Sequence, residues 1–148
     1  MSASNPKAAA GKRKPQLRLV PPALVIHTAM AMADGAAKYG PYNFRDVDVS
    51  LTDYLEAAWR HLLALMDGEN HARDSQQHHA GHIAACMGII LDCLERGNLV
   101  DDRPTTGPAA DLLETFTQRL DEKFTSDDGE SVDEPVPYVI TGAFGELP

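Results

Sequence analysis

Apolar residues recur at three- and four-residue spacing in four stretches of the chain, the period of a helix with one buried face. The first opens at Pro21-Pro22, because proline fits a first helical turn. It runs to about Ala33 with Leu24, Val25, Ala29, Met30 and Met32, and Asp34-Gly35 mark an end or a bend. The second spans Leu51 to Met66. Leu55, Trp59, Leu62, Leu63 and Met66 share a face, Ser50 or Thr52 can cap the start, Asp53 suits the first turn, and Asp67-Gly68 closes the helix. The third runs from about Ser75 to Arg96 with Ile83, Met87, Ile90, Leu91 and Leu94, stopped by Gly97-Asn98. The fourth covers about Pro108 to Phe124, with Leu112, Leu113, Phe116 and Leu120 on one side. The pattern predicts an all-α fold: a bundle of about four helices over residues 16–124.

The flanks differ in composition. Residues 1–15 are small, polar and basic, and are expected to form a disordered arm. Residues 125–148 are acidic and rich in Gly and Pro, and read as an extended tail. The formal net charge of −9 argues against a nucleic-acid-coating role. It leaves a nucleotide substrate open, since acidic groups hold divalent metals and the metals hold phosphates. Cys86 and Cys93 lie seven residues apart on one predicted helix, roughly 10 Å along its axis and too far for a disulfide. They fit buried thiols in a reducing cytosol. The chain has no apolar run of membrane-spanning length and no secretory leader pattern, so a cytoplasmic location without membrane contact is expected.

The polar residues of the two central helices carry the candidate chemistry. Glu56 and Arg60 are an i,i+4 pair on the second, with Asp53 one turn earlier. Alone, such a pair is a surface ion pair worth a few tenths of a kcal/mol. On the third, His78, His79 and His82 fall within five residues, and His82 shares a face with both others. Three imidazoles entering a core favour contact with metal or substrate over a solvated helix start. The connecting loop adds Glu69, His71 and Asp74. Two antiparallel helices joined by it would set Glu56 and His61 opposite His79 and His82, an oxygen- and nitrogen-donor cluster for a divalent metal. His27, alone on an apolar face, is expected as a hydrogen-bonded core residue, and Trp59 as core. The chain lacks a Walker A and a GxGxxG motif. His79 stands where a zincin would carry glutamate, and neither cysteine is in a CxxC.

Four segments together carry a family resemblance: "LRLVPPALV", "ADGAAKYGPYNF", "YLEAAWRHLLALMDGE" and "DSQQHHAGHIA". Over residues 16–96 the chain resembles the phage dATP/dGTP diphosphohydrolases, the MazZ group, related to the MazG-like all-α pyrophosphohydrolases. The resemblance implies a MazG/HisE-like bundle that assembles as a homo-oligomer, a dimer or tetramer. It implies Mg²⁺- or Mn²⁺-dependent cleavage of a purine deoxynucleoside triphosphate, dGTP before dATP, to monophosphate and pyrophosphate. In phages this supplies dGMP for 2-aminoadenine nucleotides. The family pattern carries over to Lys38, Tyr39, Gly40, Asn43, Glu56, Arg60, His61, Glu69, Asp74, His79 and His82. Two positions depart from it: Gln76 stands where glycine is usual, and Cys86 where asparagine is usual.

The expected roles follow. Glu56, Glu69 and Asp74, with His79 and His82, would hold metal. Glu56, His61, His79 and His82 would serve catalysis. Lys38, Arg60 and Arg45 would neutralise phosphate, Tyr39, Tyr42 or Phe44 would stack on the base, and Asn43 would bond its edge. Two alternatives compete. One is a triphosphohydrolase releasing tripolyphosphate, although the chain has no His-Asp dipeptide. The other is a helical adaptor using its acidic tail.

Overall fold

The computed structural model describes residues 7, 11, 13–104 and 107–125. The expectations of a disordered arm and an extended tail fall mostly or wholly outside these residues. The chain divides into two compact units, at residues 1–104 and 105–148. In the first, a 3₁₀ turn at Leu17–Leu19 precedes three helices: α1 (Pro22–Tyr39), α2 (Leu51–Met66) and α3 (His79–Arg96). The second contains α4 (Ala109–Thr125). The fold is all-α, with one short parallel pair of strands, β1 (Val49–Ser50) and β2 (Leu99–Val100), joined in the register Val49 to Leu99. No described helix is long and apolar enough to cross a membrane.

Local chemistry explains each boundary. Helix α1 does not end at Asp34-Gly35 as expected. It continues to Tyr39, because a mid-helix glycine costs only about 1 kcal/mol and Asp34 pairs with Lys38 one turn on. It stops at Gly40, φ 91°, before Pro41, which disfavours helix in the preceding residue. Helix α2 matches its expected limits. Ser50 accepts a hydrogen bond from the Asp53 N–H, and the Asp102 carboxylate accepts from the Thr52 N–H and from both the Ser50 and Thr52 hydroxyls. Helix α3 starts at His79 rather than Ser75. Gln76 is left-handed (φ 59°), His71 and His78 form an antiparallel bridge, and His78 Nδ1 caps the helix by accepting from the Ala80 N–H. Gly97, φ 79°, ends it.

Helix α3 is the central element, packing on both α1 and α2. Small residues set these contacts. Gly81 is buried against the backbone of α1: a methyl there would lie 2.6 Å from the His27 carbonyl oxygen. Ala58 and Ala85 are likewise buried. Phe44, Val49 and the fully buried Cys93 form a core cluster, with Met32, Tyr54, Ile89 and Leu99 packed around it.

This packing reverses one expectation. The face of α2 turned inward carries Leu51, Ala58 and the partly buried Tyr54 and His61. The stripe expected as core lies on the other side. Trp59 is 66% exposed and Met66 77%, and Leu55, Leu62 and Leu63 are exposed with them. His27 is also exposed, its ring 5.5 Å from that of His78, rather than a hydrogen-bonded core residue. Small side chains and an imidazole allow α2 and α3 to approach more closely than the large apolar stripe would.

Candidate functional site

Three histidines meet where α2 faces the start of α3. His61 Nδ1 lies 2.7 Å from His79 Nδ1, so one ring donates and the other accepts. The His61 ring stacks on that of His82, with centroids 4.4 Å apart and planes 4° apart. His82 Nε2 in turn bonds the Ser75 hydroxyl at 2.8 Å. Burial, with His82 and His79 alongside, pulls the His61 imidazole down to about 4, and burial also lowers His82. Both rings therefore stay neutral near pH 7, the form that accepts a proton or a metal ion. His79 is buried, and its Nε2 has no hydrogen-bond partner among the described residues.

The end of α1 adds charge beside this cluster. The Lys38 ammonium bridges Asp34, at 2.8 Å, and Asp74, at 2.9 Å. These carboxylates hold the ammonium above its ordinary range, and Lys38 holds Asp74 below the usual carboxylate value. Asp74 and Ser75 are consecutive, so the carboxylate–ammonium bridge and the imidazole stack share one turn of chain.

A cavity of about 430 Å³ opens between α1 and α3, beneath the loop that begins at Gly40. That volume suits a small-molecule site, typically about 300–1,000 Å³. Its walls are mostly apolar, with Met32, Phe44 and Ile89 joined by several alanines. Polar groups are few: Asn43, His82, Cys86 and the tyrosines Tyr39, Tyr42 and Tyr54. Burial raises the Cys86 thiol, so it lines the wall as a neutral group. Both cysteines are free thiols. His82 belongs to the cavity and to the imidazole cluster alike.

The expected site residues divide accordingly. His61, His79, His82, Asp74 and Lys38 come together, while Tyr39 and Asn43 line the adjoining cavity. Glu56 and Arg60 do not join them. They sit on the outer side of α2, with side chains 74% and 70% exposed and 3.8 Å apart. Glu56 is five residues before His61, about 140° around the helix. Glu69 is taken by Arg73 in a two-pronged bond of 2.9 and 3.1 Å, which lowers its carboxyl. Arg45 was expected to meet phosphate but forks onto Asp92 at 2.8 and 2.7 Å, at the other end of α3. Tyr42 lies exposed under the Arg45 guanidinium and Phe44 is in the core cluster, and both also line the cavity. Sequence reasoning missed Asp34 and Ser75. The Asp34–Lys38 spacing was a signal for the first, but it lay hidden by the helix end expected there.

Among the described residues no group of three or more His, Cys, Asp or Glu side chains is placed to hold a metal ion. By donor type alone, the groups present are of the kind a divalent ion takes. Asp34 and Asp74 already share one cation, the Lys38 ammonium, and the buried His79 Nε2 is without a partner. Oxygen donors with imidazole suit Mg²⁺ or Mn²⁺.

No solved structure matches the chain. A dATP/dGTP diphosphohydrolase of Salmonella phage PMBT28 is 30% identical over 125 residues, 84% of this chain but 41% of that relative. The chain thus spans less than half the length of the curated relative it matches. Residues 4–103, which include α1, α2, α3 and the whole imidazole cluster, match the family described as dATP/dGTP diphosphohydrolase, N-terminal, and the chain belongs to that family.

Proposed function

We propose that this chain hydrolyses a purine deoxynucleoside triphosphate, dGTP before dATP, to the monophosphate and pyrophosphate, and that it requires Mg²⁺ or Mn²⁺. The observation that carries the reading is the double membership of His82. It lines the apolar cavity and also reaches, through Ser75, the turn that carries Asp74, the partner of Lys38. A purine in the cavity then directs its phosphates toward the ammonium and the imidazoles. Family membership and the name of the phage relative support the same substrate class.

The chain's own groups divide the work. The apolar walls exclude water from the base, and the Asn43 amide offers both a donor and an acceptor to its edge. Asp34, Asp74 and His79 would hold the metal, and Lys38, released from the two carboxylates, would turn to phosphate oxygen. The chemistry that Mg²⁺ or Mn²⁺ supplies when bound is charge stabilisation at the phosphoryl oxygens and a more acidic water. A neutral imidazole of the His61–His79–His82 group accepts the proton of the attacking water. A bond forms from water oxygen to the α-phosphorus, the bond to the bridging oxygen breaks, and pyrophosphate leaves.

The exposed stripe of α2 supports a homo-oligomer, since five large apolar side chains on one helix face call for cover. Glu56 and Arg60 border that stripe, so they would serve a site only where a second copy meets it. As a source of dGMP the reaction would feed 2-aminoadenine nucleotide synthesis in a phage, within the host cytoplasm. Incubation with each nucleoside triphosphate, with and without Mg²⁺ or Mn²⁺, tests the reading. Metal-dependent release of dGMP and pyrophosphate supports it. Tripolyphosphate would indicate a triphosphohydrolase instead, and no turnover of any nucleotide would favour an adaptor.

A further inference from the structure

The loop between α1 and β1 forms one wall of the cavity, and the far end of α3 holds it in place. Asn43 opens a 3₁₀ turn, Asn43–Arg45, whose N-cap Tyr42 is left-handed with φ 59°. A non-glycine residue in that conformation persists only where its surroundings hold it. Residues at the far end of α3 and just beyond it supply the restraints. The Arg45 guanidinium forks onto both oxygens of Asp92 and lies 4.9 Å from the centre of the Tyr42 ring. The Asn98 amide donates to two carbonyls of the loop, Phe44 at 2.9 Å and Val47 at 2.7 Å. Arg96 adds a longer bond of 3.4 Å to the Arg45 carbonyl.

Arg45, Asp92, Arg96 and Asn98 do not line the cavity, yet the turn they hold presents Asn43 to it. The Asn43 amide makes no hydrogen bond with the described residues, so only its backbone sets where it points. We infer that Asp92 and Asn98 are positioning residues for the nucleoside end of the site, fixing the Asn43 wall through Arg45 and the Phe44 and Val47 carbonyls. The inference rests on the nucleotide reading above and deepens it. It separates the two ends of α3: the start carries imidazoles for the phosphates, and the far end, with Asn98 just beyond it, sets the fit to the base.

The pair is partly exposed, so its loss should change folding stability little. A planar two-pronged bond nevertheless fixes direction, which a single charge contact does not. Recognition should therefore suffer more than folding.

The test compares two probes, dGMP and inorganic pyrophosphate, by calorimetry in Mg²⁺. Asp92→Asn keeps the shape of the side chain and removes its charge. It should weaken dGMP binding about tenfold while leaving pyrophosphate binding and the circular-dichroism melt near wild type. Asn98→Ala should act in the same direction. The reversed pair, Arg45→Asp with Asp92→Arg, should recover much of the dGMP affinity lost in Asp92→Asn. Unchanged dGMP affinity in both Asp92→Asn and Asn98→Ala would overturn the inference. So would equal loss for both probes, which would mean general loosening rather than a nucleoside-end effect. If wild-type protein bound neither probe, the nucleotide reading itself would fail, and this inference with it.

Discussion

Replacing Gly81 with alanine drives a methyl group into the backbone of α1. The added carbon would lie 2.6 Å from the His27 carbonyl oxygen, 3.0 Å from its carbon and 3.2 Å from the His27 Cβ, where ordinary contact begins near 3.4 Å. Two of these neighbours are backbone atoms and cannot swing aside, so α1 and α3 must separate by several tenths of an ångström. Overpacking of this kind costs about 1–3 kcal/mol, and the rigid target places Gly81→Ala toward the upper end. Alanine returns about 1 kcal/mol of helix propensity, leaving a net loss of about 1–2 kcal/mol. Urea unfolding followed by circular dichroism measures it. The separation also moves Lys38 and Asp34 on α1 relative to His82 on α3, so turnover should fall in protein that is still folded. Unchanged or raised stability would refute the close approach and with it the account of how these helices bring the cluster together.

Three further outcomes can be checked. The Ser50 hydroxyl, with the Thr52 N–H and hydroxyl, pulls the Asp102 carboxyl down from 3.8 to about 2. A depressed carboxylate stabilises the fold above its unfolded value, so wild type should exceed Asp102→Asn in stability above about pH 4, and the gap should close as pH falls through about 2. Acid titrations of the two melts would show it, and a gap independent of pH would contradict it. Gln76 is left-handed at φ 59°; Gln76→Gly should relieve that strain and stabilise by about 0.5–1 kcal/mol, and a lower melting temperature would count against the assignment. Asp74→Asn should weaken Mn²⁺ binding, read by electron paramagnetic resonance, by about tenfold. Unchanged Mn²⁺ affinity would remove Asp74 from the metal site.

The sequence displayed the helices wherever a cap or a breaker stood alone. Ser50 and Asp67-Gly68 bracket α2, and Gly97 ends α3. It misled where two signals competed. Gly35 looked like a stop but was outweighed by the Asp34–Lys38 pair and the stronger stop at Gly40-Pro41. The start of α3 was hidden because Gln76, a residue that ordinarily tolerates helix, takes a left-handed turn held by bonds to the Ala72 and Arg73 carbonyls. The apolar stripe of α2 pointed away from α3, since periodicity reveals an apolar face without revealing what covers it. For the site, the i,i+3 spacing of His79 and His82 showed that they share a face. Their meeting with His61 required only that α2 and α3 be antiparallel. Asp34 and Ser75 reach the cluster from another helix and a loop, contacts that no local spacing encodes. Arg45 carried the right charge for phosphate, but its partner, Asp92, lies 47 residues along the chain.

The central claim is that water attacks the α-phosphorus of a purine nucleotide seated between the cavity and the imidazole cluster. Hydrolysis of dGTP in ¹⁸O-labelled water, with the products resolved by mass spectrometry, addresses it directly. The account predicts that the label appears in dGMP and that pyrophosphate is released unlabelled. Label in pyrophosphate would place the attack on the β-phosphorus, and tripolyphosphate as the product would place the cleavage at the sugar; either result would contradict the account.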